Sequence, residues 1–349
     1  SDVYKRQEYD FFKDKGLHNE SIDLGFNHKS GLFVNGGYTR NNHGGWQGDL
    51  TGREKRWHPK DQALMNGMFG FQNRNMNVWY RLDFLDEKIF GPNNGSELQP
   101  EKVSDKDFLT KRYTHQLQSD WKLDNRLDVH AALSYQDYKR RTRTTESDLS
   151  TGEKWLSSAE ASQDITQYKA WIARATVAWN IAPEFSVQPG VEYQWTQGEG
   201  GRIDGTPKVS DLAFFLSAEY KPWEWLSLRP GVRTFIVADY DAPIAIPSVL
   251  TKFKLTKHMD LRLSYAYGFR SPTLQELYFS FHNDNHDIDG NPDLKAEYSH
   301  NITGSVAYRV LHSEKIHLTT TLSGFYNDFR DKISLAQNVD IPNSVSYTH

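Results

Sequence analysis

Cysteine is absent from all 349 residues, and its absence excludes disulfide scaffolds, zinc ribbons, iron–sulfur centres and thiol catalysis. Long apolar runs are missing too. No stretch approaches 18 uninterrupted apolar residues, so a membrane-spanning helix is excluded. Nor is there an excess of one charge. With 41 basic residues against 45 acidic and a formal net charge of −4, nothing resembles a basic track for a nucleic-acid backbone. Neither a G-x-S-x-G elbow nor an H-E-x-x-H pair occurs, although Ser, His and Asp are abundant. The chain is therefore not read as an enzyme, and no catalytic residue, resident cofactor or metal is expected.

What the sequence does have is aromatic rings, with 19 Phe, 18 Tyr and 10 Trp in a chain whose mean hydropathy is −0.72. Disordered chains are poor in aromatics, so this one is expected to fold. Alternation of period two runs through most of it, the mark of strands with two unlike faces. Leu212, Phe214, Leu216, Ala218 and Tyr220 form one such apolar set. Leu226, Leu228, Val232 and Ile236 form the next. Met259, Leu261, Leu263, Tyr265, Tyr267 and Phe269 follow, and then Ile316, Leu318, Leu322 and Tyr326.

Connections between these segments alternate in length. Short joins fall near 27–31, 73–77, 124–125, 182–184, 222–225, 256–258 and 311–315, and longer polar excursions near 41–61, 86–107, 138–164, 196–210, 239–247 and 270–297. The count is about fourteen strands, with a further strand starting near Ile333. A soluble sandwich has no reason to put every tight turn at one end and every long loop at the other, whereas an up-and-down transmembrane β-barrel does. Segments such as 210–221 and 226–237 are long enough for the 9–11 residues that a tilted crossing needs. Trp and Tyr beside the turns suit aromatic girdles at the headgroup level, although aromatics are common in strands generally. Pro189 and Pro230 fall inside strand patterns and are expected at bulges. Asn301-Ile302-Thr303 matches a glycosylation sequon, a pattern frequent by chance.

The most specific motif lies in the longest excursion. Gly268-Phe269-Arg270-Ser271-Pro272-Thr273-Leu274-Gln275-Glu276-Leu277-Tyr278 is followed by Gly290-Asn291-Pro292-Asp293-Leu294-Lys295-Ala296-Glu297. Ser271 and Pro272 read as an N-cap and first helical residue, and Asn291-Pro292-Asp293 as a turn returning the chain to the next strand. These boxes, with Phe325-Tyr326-Asn327-Asp328-Phe329-Arg330-Asp331-Lys332-Ile333 after them, resemble the FRAP-like and NPDL-like boxes of the TonB-dependent outer-membrane receptors. Phe269, Arg270, Ser271, Pro272, Asn291, Pro292, Asp293 and Leu294 carry the match.

That resemblance implies an all-β, antiparallel up-and-down barrel in a bacterial outer membrane, of which this chain holds about 14–15 of 22 strands. If the boxed loop is the family's seventh extracellular loop, about one strand precedes the chain and six follow it. Residues 8–344 are then a partial barrel domain. Residues 1–7 and 345–349 read as translated adapter sequence rather than native protein. The implied function is binding and energised import of a scarce ligand, a ferric siderophore, haem or cobalamin. The implied partners are that ligand, outer-membrane lipid or lipopolysaccharide, and TonB acting through a plug domain not recognised in this sequence. A saccharide-importing receptor and a passive porin are the alternatives, the boxes arguing against the porin. A soluble carbohydrate-binding β-protein would have mixed loop lengths and a two-sided core.

Several residues are candidate ligand contacts. His282 and His286 lie between the boxes, where haem receptors place an iron-ligating His and where imidazole suits haem iron; a solvated polar excursion is the other reading. Trp46 and Trp57, with Asn41, Asn42, His43 and His58, offer a stacking surface in the first long loop, or else simply pack that loop. The run Lys139-Arg140-Arg141-Thr142-Arg143 is suited to lipopolysaccharide phosphates or an anionic siderophore.

Overall fold

The structure is a computed structural model and describes residues 16–159, 162–237, 240, 242–283, 286–312, 316–337 and 344–348. Residues 1–7, read above as non-native, and His349 lie outside them. The first six strands are β1 (Leu17–Asn27), β2 (Leu32–His43), β3 (Lys60–Gln72), β4 (Met76–Gly91), β5 (Lys102–Lys122) and β6 (Leu127–Asp148). A three-residue strand, β7 (Lys154–Leu156), folds back onto β6. The chain continues through β8 (Ile165–Ala182), β9 (Phe185–Glu199), β10 (Lys208–Trp223), β11 (Leu226–Val237), β12 (Ile246–Thr256) and β13 (Met259–Arg270). A loop then carries α1 (Leu274–Tyr278), β14 (Ser280–Asn283) and β15 (His286–Asp289) before β16 (Glu297–His312) and β17 (His317–Arg330). Two short strands, β18 (Ser334–Gln337) and β19 (Ser344–Thr348), end it.

Fourteen long strands pair in sequence order, all antiparallel, in a sheet whose edges are β1 and β17. This is the up-and-down order expected from the alternating joins, and the sheet is open between its edge strands. Among the described residues no helix is long and apolar enough to cross a membrane.

Register explains why period two dominates the sequence. Residues directly opposite one another share a face, and Phe26, Val34, Phe69, Tyr80, Leu117, Leu133, Ala173, Tyr193, Leu212 and Ile236 form one continuous row across ten strands. A second row, Pro230, Val249, Tyr265, Ile302 and Tyr326, carries the same face to the far edge. Phe26, Phe69 and Ile236 on this face are each about 60% exposed, an arrangement that water would penalise and lipid would not. The opposite face is polar. Asp23, Gly37, Asn66, Asp83, Thr114, Gln136, Ala170, Thr196 and Val209 form its corresponding row.

Aromatic rings mark both limits of the apolar face. Trp121, Trp179 and Trp223 stand at the short-turn end, where Trp223 and Trp225 stack with centroids 5.2 Å apart. Tyr113, Tyr135 and Trp171 stand at the other limit, and the Tyr135 and Trp171 rings are 4.5 Å apart. Polar inner-face side chains are tied together instead. Glu192, almost wholly buried, accepts from Arg233 at 2.5 Å and Gln194 at 2.9 Å and pairs with Arg174 at 3.1 Å. Gly190 is needed beside them, because a Cβ there would lie 2.2 Å from the Phe215 ring.

Three expectations need correction. Pro189 and Pro230 are not at bulges: register shifts occur instead near 180–182, 220–223, 254–256 and 309–311, all beside short turns. Each proline keeps its register on one side, Pro189 with Leu216 and Pro230 with Val249. Pairing lapses at the proline on the other side and resumes unshifted. An antiparallel residue directs its N–H and C=O to a single neighbour, so a missing N–H interrupts only one ladder. Secondly, about half of each excursion at 86–107 and 138–164 is strand, because β4, β5 and β6 run on for 16, 21 and 22 residues. Polar alternation continues past the apolar band there, and polar strands were read as loop. Thirdly, the strand near Ile333 does form, as β18, but it does not extend the large sheet. It joins β14, β15 and β19 in a four-stranded sheet of order β14-β15-β19-β18, in which β15 and β19 are parallel.

Candidate functional site at the long-loop end

The loop between β13 and β16 is organised by one arginine. Arg270 is the last residue of β13 and pairs in register with Glu297, the first of β16. Its guanidinium reaches Glu297 at 2.7 and 2.6 Å and Glu276 at 2.9 and 3.1 Å. A planar five-donor fork can hold two carboxylates at once, each through paired N–H groups; an ammonium, with three donors on one nitrogen, cannot reproduce that geometry. Glu276 also closes the start of α1. The N-cap is Thr273 rather than Ser271: its hydroxyl accepts from the Glu276 N–H at 3.2 Å while its own N–H donates to the Glu276 carboxylate at 2.7 Å. A capping box needs Glu or Gln three residues on. Thr273 has Glu276 there, whereas Ser271 has Leu274, so the cap moves two residues along. Burial acts to raise the Glu276 carboxyl, but the hydrogen bonds from Arg270 and Thr273 outweigh it and hold the group below its ordinary value.

The second box returns the chain. Asn291 Oδ1 accepts from the Asp293 N–H at 2.9 Å, the Asx turn that Asn before Pro-Asp favours. The Asn291 N–H donates to the Glu276 carbonyl at 2.9 Å, and its side-chain amide to the Tyr347 carbonyl at 3.1 Å. Gly290 packs on the helix end, where a Cβ would sit 2.7 Å from the Leu277 carbonyl oxygen. Beneath these contacts Leu277, Leu294 and Ile333 form a small buried core. The Ile333 N–H donates to Glu297 at 2.6 Å, tying the segment after β17 to the same clamp. The box residues are thus mostly architectural. Phe269 likewise packs, its ring 4.7 Å from that of Phe235.

Held this way, the loop folds over the polar face of β5, β6 and β8. Ile203 and Phe279 form an isolated β-bridge, and a recess of about 530 Å³ lies between loop and wall. Its lining includes Phe108, Tyr138 and Tyr168 from the wall, Phe279 and Phe281 from the loop, and three cations, Lys106, Arg140 and Arg202. The Arg140 guanidinium lies 4.4 Å above the Phe108 ring and that of Arg202 4.3 Å above the Phe281 ring. Aromatic walls with two guanidiniums, the Lys106 ammonium and one lining carboxylate, Asp164, fit a flat or ring-bearing anion.

Not every candidate residue comes to this recess. His282 pairs with Asp287 and Asn283 with His286 across the β14–β15 hairpin, which places both histidines at its tip. Trp46 and Trp57 bridge each other through both backbone bonds, at 2.9 and 3.0 Å, with rings 5.2 Å apart; they pack the β2–β3 loop and do not line the recess. Strand alternation splits the basic run. Arg140 and Thr142 line the recess, while Lys139, Arg141 and Arg143 point to the opposite face, that of Leu133 and Tyr135. Phe108, Tyr138, Tyr168 and Arg202 were missed in the sequence. Their only signal was the even parity that the first three share with polar-face neighbours.

Three kinds of comparison bear on this architecture. A family model described as TonB dependent receptor-like, beta-barrel, matches residues 188–348. Hemoglobin and hemoglobin-haptoglobin-binding protein C of Haemophilus influenzae is 38% identical over 82 residues, 24% of this chain and 7% of that protein. The hemoglobin and hemoglobin-haptoglobin-binding protein of Haemophilus ducreyi is 38% identical over 78 residues, covering 22% and 8%. Among solved structures, the siderophore receptor PirA of Pseudomonas aeruginosa superposes with a TM-score of 0.72 at 13% identity, over 97% of this chain and 58% of that one. The hemophore receptor HasR of Serratia marcescens, solved with its hemophore HasA and heme, gives 0.68 at 14% identity, over 96% and 57%. The chain thus spans little more than half the length of these solved receptors, and its matched segments under a tenth of the curated relatives. Residues 188–348 thus match the TonB-dependent receptor β-barrel family, and the chain shares the barrel fold of the solved receptors along its length.

Proposed function

We propose that this chain is wall and mouth of an outer-membrane receptor that captures an iron-bearing anionic ligand for TonB-coupled import, with haem as the ligand. The recess carries the reading: five rings and two guanidiniums between the boxed loop and the wall match a flat macrocycle with carboxylates. Two further facts support haem over other iron carriers. The curated relatives are named for haemoglobin binding, and His282 and His286 flank the tip of the loop that covers the recess, where either imidazole would serve as an axial ligand. Coupling to TonB, residence in a bacterial outer membrane and contact with its lipid follow from the same reading.

Titration of the detergent-solubilised chain with hemin tests it. The expected result is a saturable Soret shift, weakened by Arg140→Gln with Arg202→Gln and changed in position by His282→Ala with His286→Ala. No Soret change at any hemin concentration overturns haem. Saturable quenching of tryptophan fluorescence by a ferric catecholate, with none by hemin, would favour the siderophore reading that the fold of PirA supports.

A further inference from the structure

We propose that the polar face of β10, β11, β12, β13 and β16 holds, at its short-turn end, a second station for the flat anionic ligand captured at the recess. The proposal rests on the reading of the recess given above and adds a site at the opposite end of the same face.

A cavity of about 1190 Å³, more than twice the volume of the recess, lies there. Register shows what lines it. Ser227, Lys252, Arg262 and Ser305 form one row of the polar face, and Arg229, Leu250, Ser264 and Thr303 the row above. Of these eight positions three are cations, four are hydroxyls and none is a carboxylate. The surface therefore offers donors and positive charge to whatever lies on it, the chemistry that an anion needs. Carboxylates come only from its margin. Glu219 is engaged by Lys221 at 3.0 Å and Arg229 at 2.9 Å, and Glu184 and Glu224 stand in the short turns.

Lys252 and Arg262 stand directly opposite each other, a like-charge pair that destabilises a sheet unless an anion lies between. Asp260 relieves only the lysine, being held by Lys252 at 3.4 Å and Arg309 at 3.5 Å. Arg262 and Lys254 have no ion-pair partner among the described residues. At the lower rim the Trp223 and Trp225 rings stack with an interplanar angle of 1°. Such a pair presents a π face on which a flat ring extends the stack. Ring face, guanidinium and apolar side chain, here Leu250, repeat the chemistry of the recess, so one cargo suits both. Continuity supports the order of the two sites. A smaller cavity of about 360 Å³ shares Glu219, Arg229 and Leu250 with this one and runs up the face past Ser217, Gly231 and Ser248. Gly231 keeps it open, because a Cβ there would lie 2.9 Å from the Ser248 hydroxyl. The polar face of a spanning wall borders water rather than lipid, so a charged ligand that enters among the long loops meets these cations last.

The test titrates hemin into the detergent-solubilised chain and counts bound molecules by native mass spectrometry, with far-UV circular dichroism to check β content. Three variants are compared: Lys252→Gln/Arg262→Gln at this cavity, Arg140→Gln/Arg202→Gln at the recess, and Lys122→Gln/Arg126→Gln at another short turn. Two hemins are expected on the parent and on the last variant. The cavity variant should keep one hemin at parental affinity and bind the other about tenfold more weakly, the worth of a charge-assisted hydrogen bond. The recess variant should show the reverse. Arg262→Gln alone should also weaken the second hemin without lowering the temperature of unfolding, a combination that a structural role would not give, and it decides if the double variant loses β content. Two hemins at parental affinity in the folded cavity variant overturn the station and leave the recess standing. A single hemin on the parent, lost with the recess variant, does the same. No hemin on any form overturns the haem reading and the station together. Displacement of the second hemin by an equal concentration of hexaglutamate overturns the cargo assignment in favour of an acidic peptide.

Discussion

Arg270→Met offers the sharpest test of how the long loop is held. The substitution keeps the aliphatic stem but removes four charge-assisted hydrogen bonds, two to Glu276 and two to Glu297. It also leaves two carboxylates, 15% and 19% exposed, facing each other without a cation. Removing one member of a fully buried pair costs about 3–5 kcal/mol, but Arg270 itself is 41% exposed, so solvent screens part of the loss and about 2 kcal/mol is expected. The loss is local. The β13–β16 pairing needs nothing from the Arg270 guanidinium, whereas the α1 cap and the Ile333 amide depend on the two carboxylates and the Asn291 turn on the Glu276 carbonyl of that helix. Native-state hydrogen exchange on the detergent-solubilised chain should therefore show the Leu277 and Ile333 amides opening about 30-fold more often, a factor that corresponds to about 2 kcal/mol. Amides of β5 and β6 should not change. Arg270→Lys should recover only part of the protection, since one ammonium cannot serve both carboxylates in fork geometry. Unchanged exchange at Leu277 and Ile333 in the Met variant would refute the clamp, and uniform acceleration across the sheet would refute its locality.

Three further outcomes follow from the same geometry. Leu277→Ala empties part of the small core beneath the boxes and should weaken the loop by about 2–3 kcal/mol, read as faster proteolysis between 271 and 296 with the sheet intact. Leu117→Arg, in the apolar row, should impair insertion into bilayers by about 2–4 kcal/mol, whereas Thr114→Arg on the polar face of the same strand should insert like the parent; equal behaviour would overturn the assignment of faces. Acidification acts through Glu276. Because its folded carboxyl is held below the ordinary value, its contribution is present above the unfolded pKa of about 4.3 and is lost as pH falls through the depressed one. Loop protection should therefore stay flat from neutrality down to about pH 5 and fall only below the ordinary carboxylate range.

Legibility differed between the parts of the molecule for physical reasons. Strand faces were plain because alternate residues carry opposite chemistries, apolar on one face and polar on the other, and the ten-strand row from Phe26 to Ile236 is that rule repeated. Short turns were plain for the same reason, being where alternation stops. The upper halves of β5 and β6 were not plain, because above the band both faces are polar and a polar strand looks like a loop. The boxes marked the right segment, yet the cap was misplaced at Ser271, since choosing between Ser271 and Thr273 depends on which one has Glu three residues later. The recess was illegible for a different reason. Phe108, Tyr138, Tyr168 and Arg202 come from separate stretches of chain, and only the fold of the loop over β5, β6 and β8 brings them together.

The pairing of Arg270 with Glu297 at the foot of the long loop also bears on how such a protein can change. The clamp of Arg270, Glu276 and Glu297 and the Asn291 turn lie within 270–277 and 290–297, with Ile333, Tyr347 and the bridge of Phe279 to Ile203 as further supports. The β14–β15 hairpin stands on that base, is joined along β15 to β19, and supplies none of the buried core residues Leu277, Leu294 and Ile333. The base is thus a socket and the hairpin an exchangeable head. Substitution, lengthening or grafting in the head can change what the long-loop end presents while the socket and the large sheet keep their sequence.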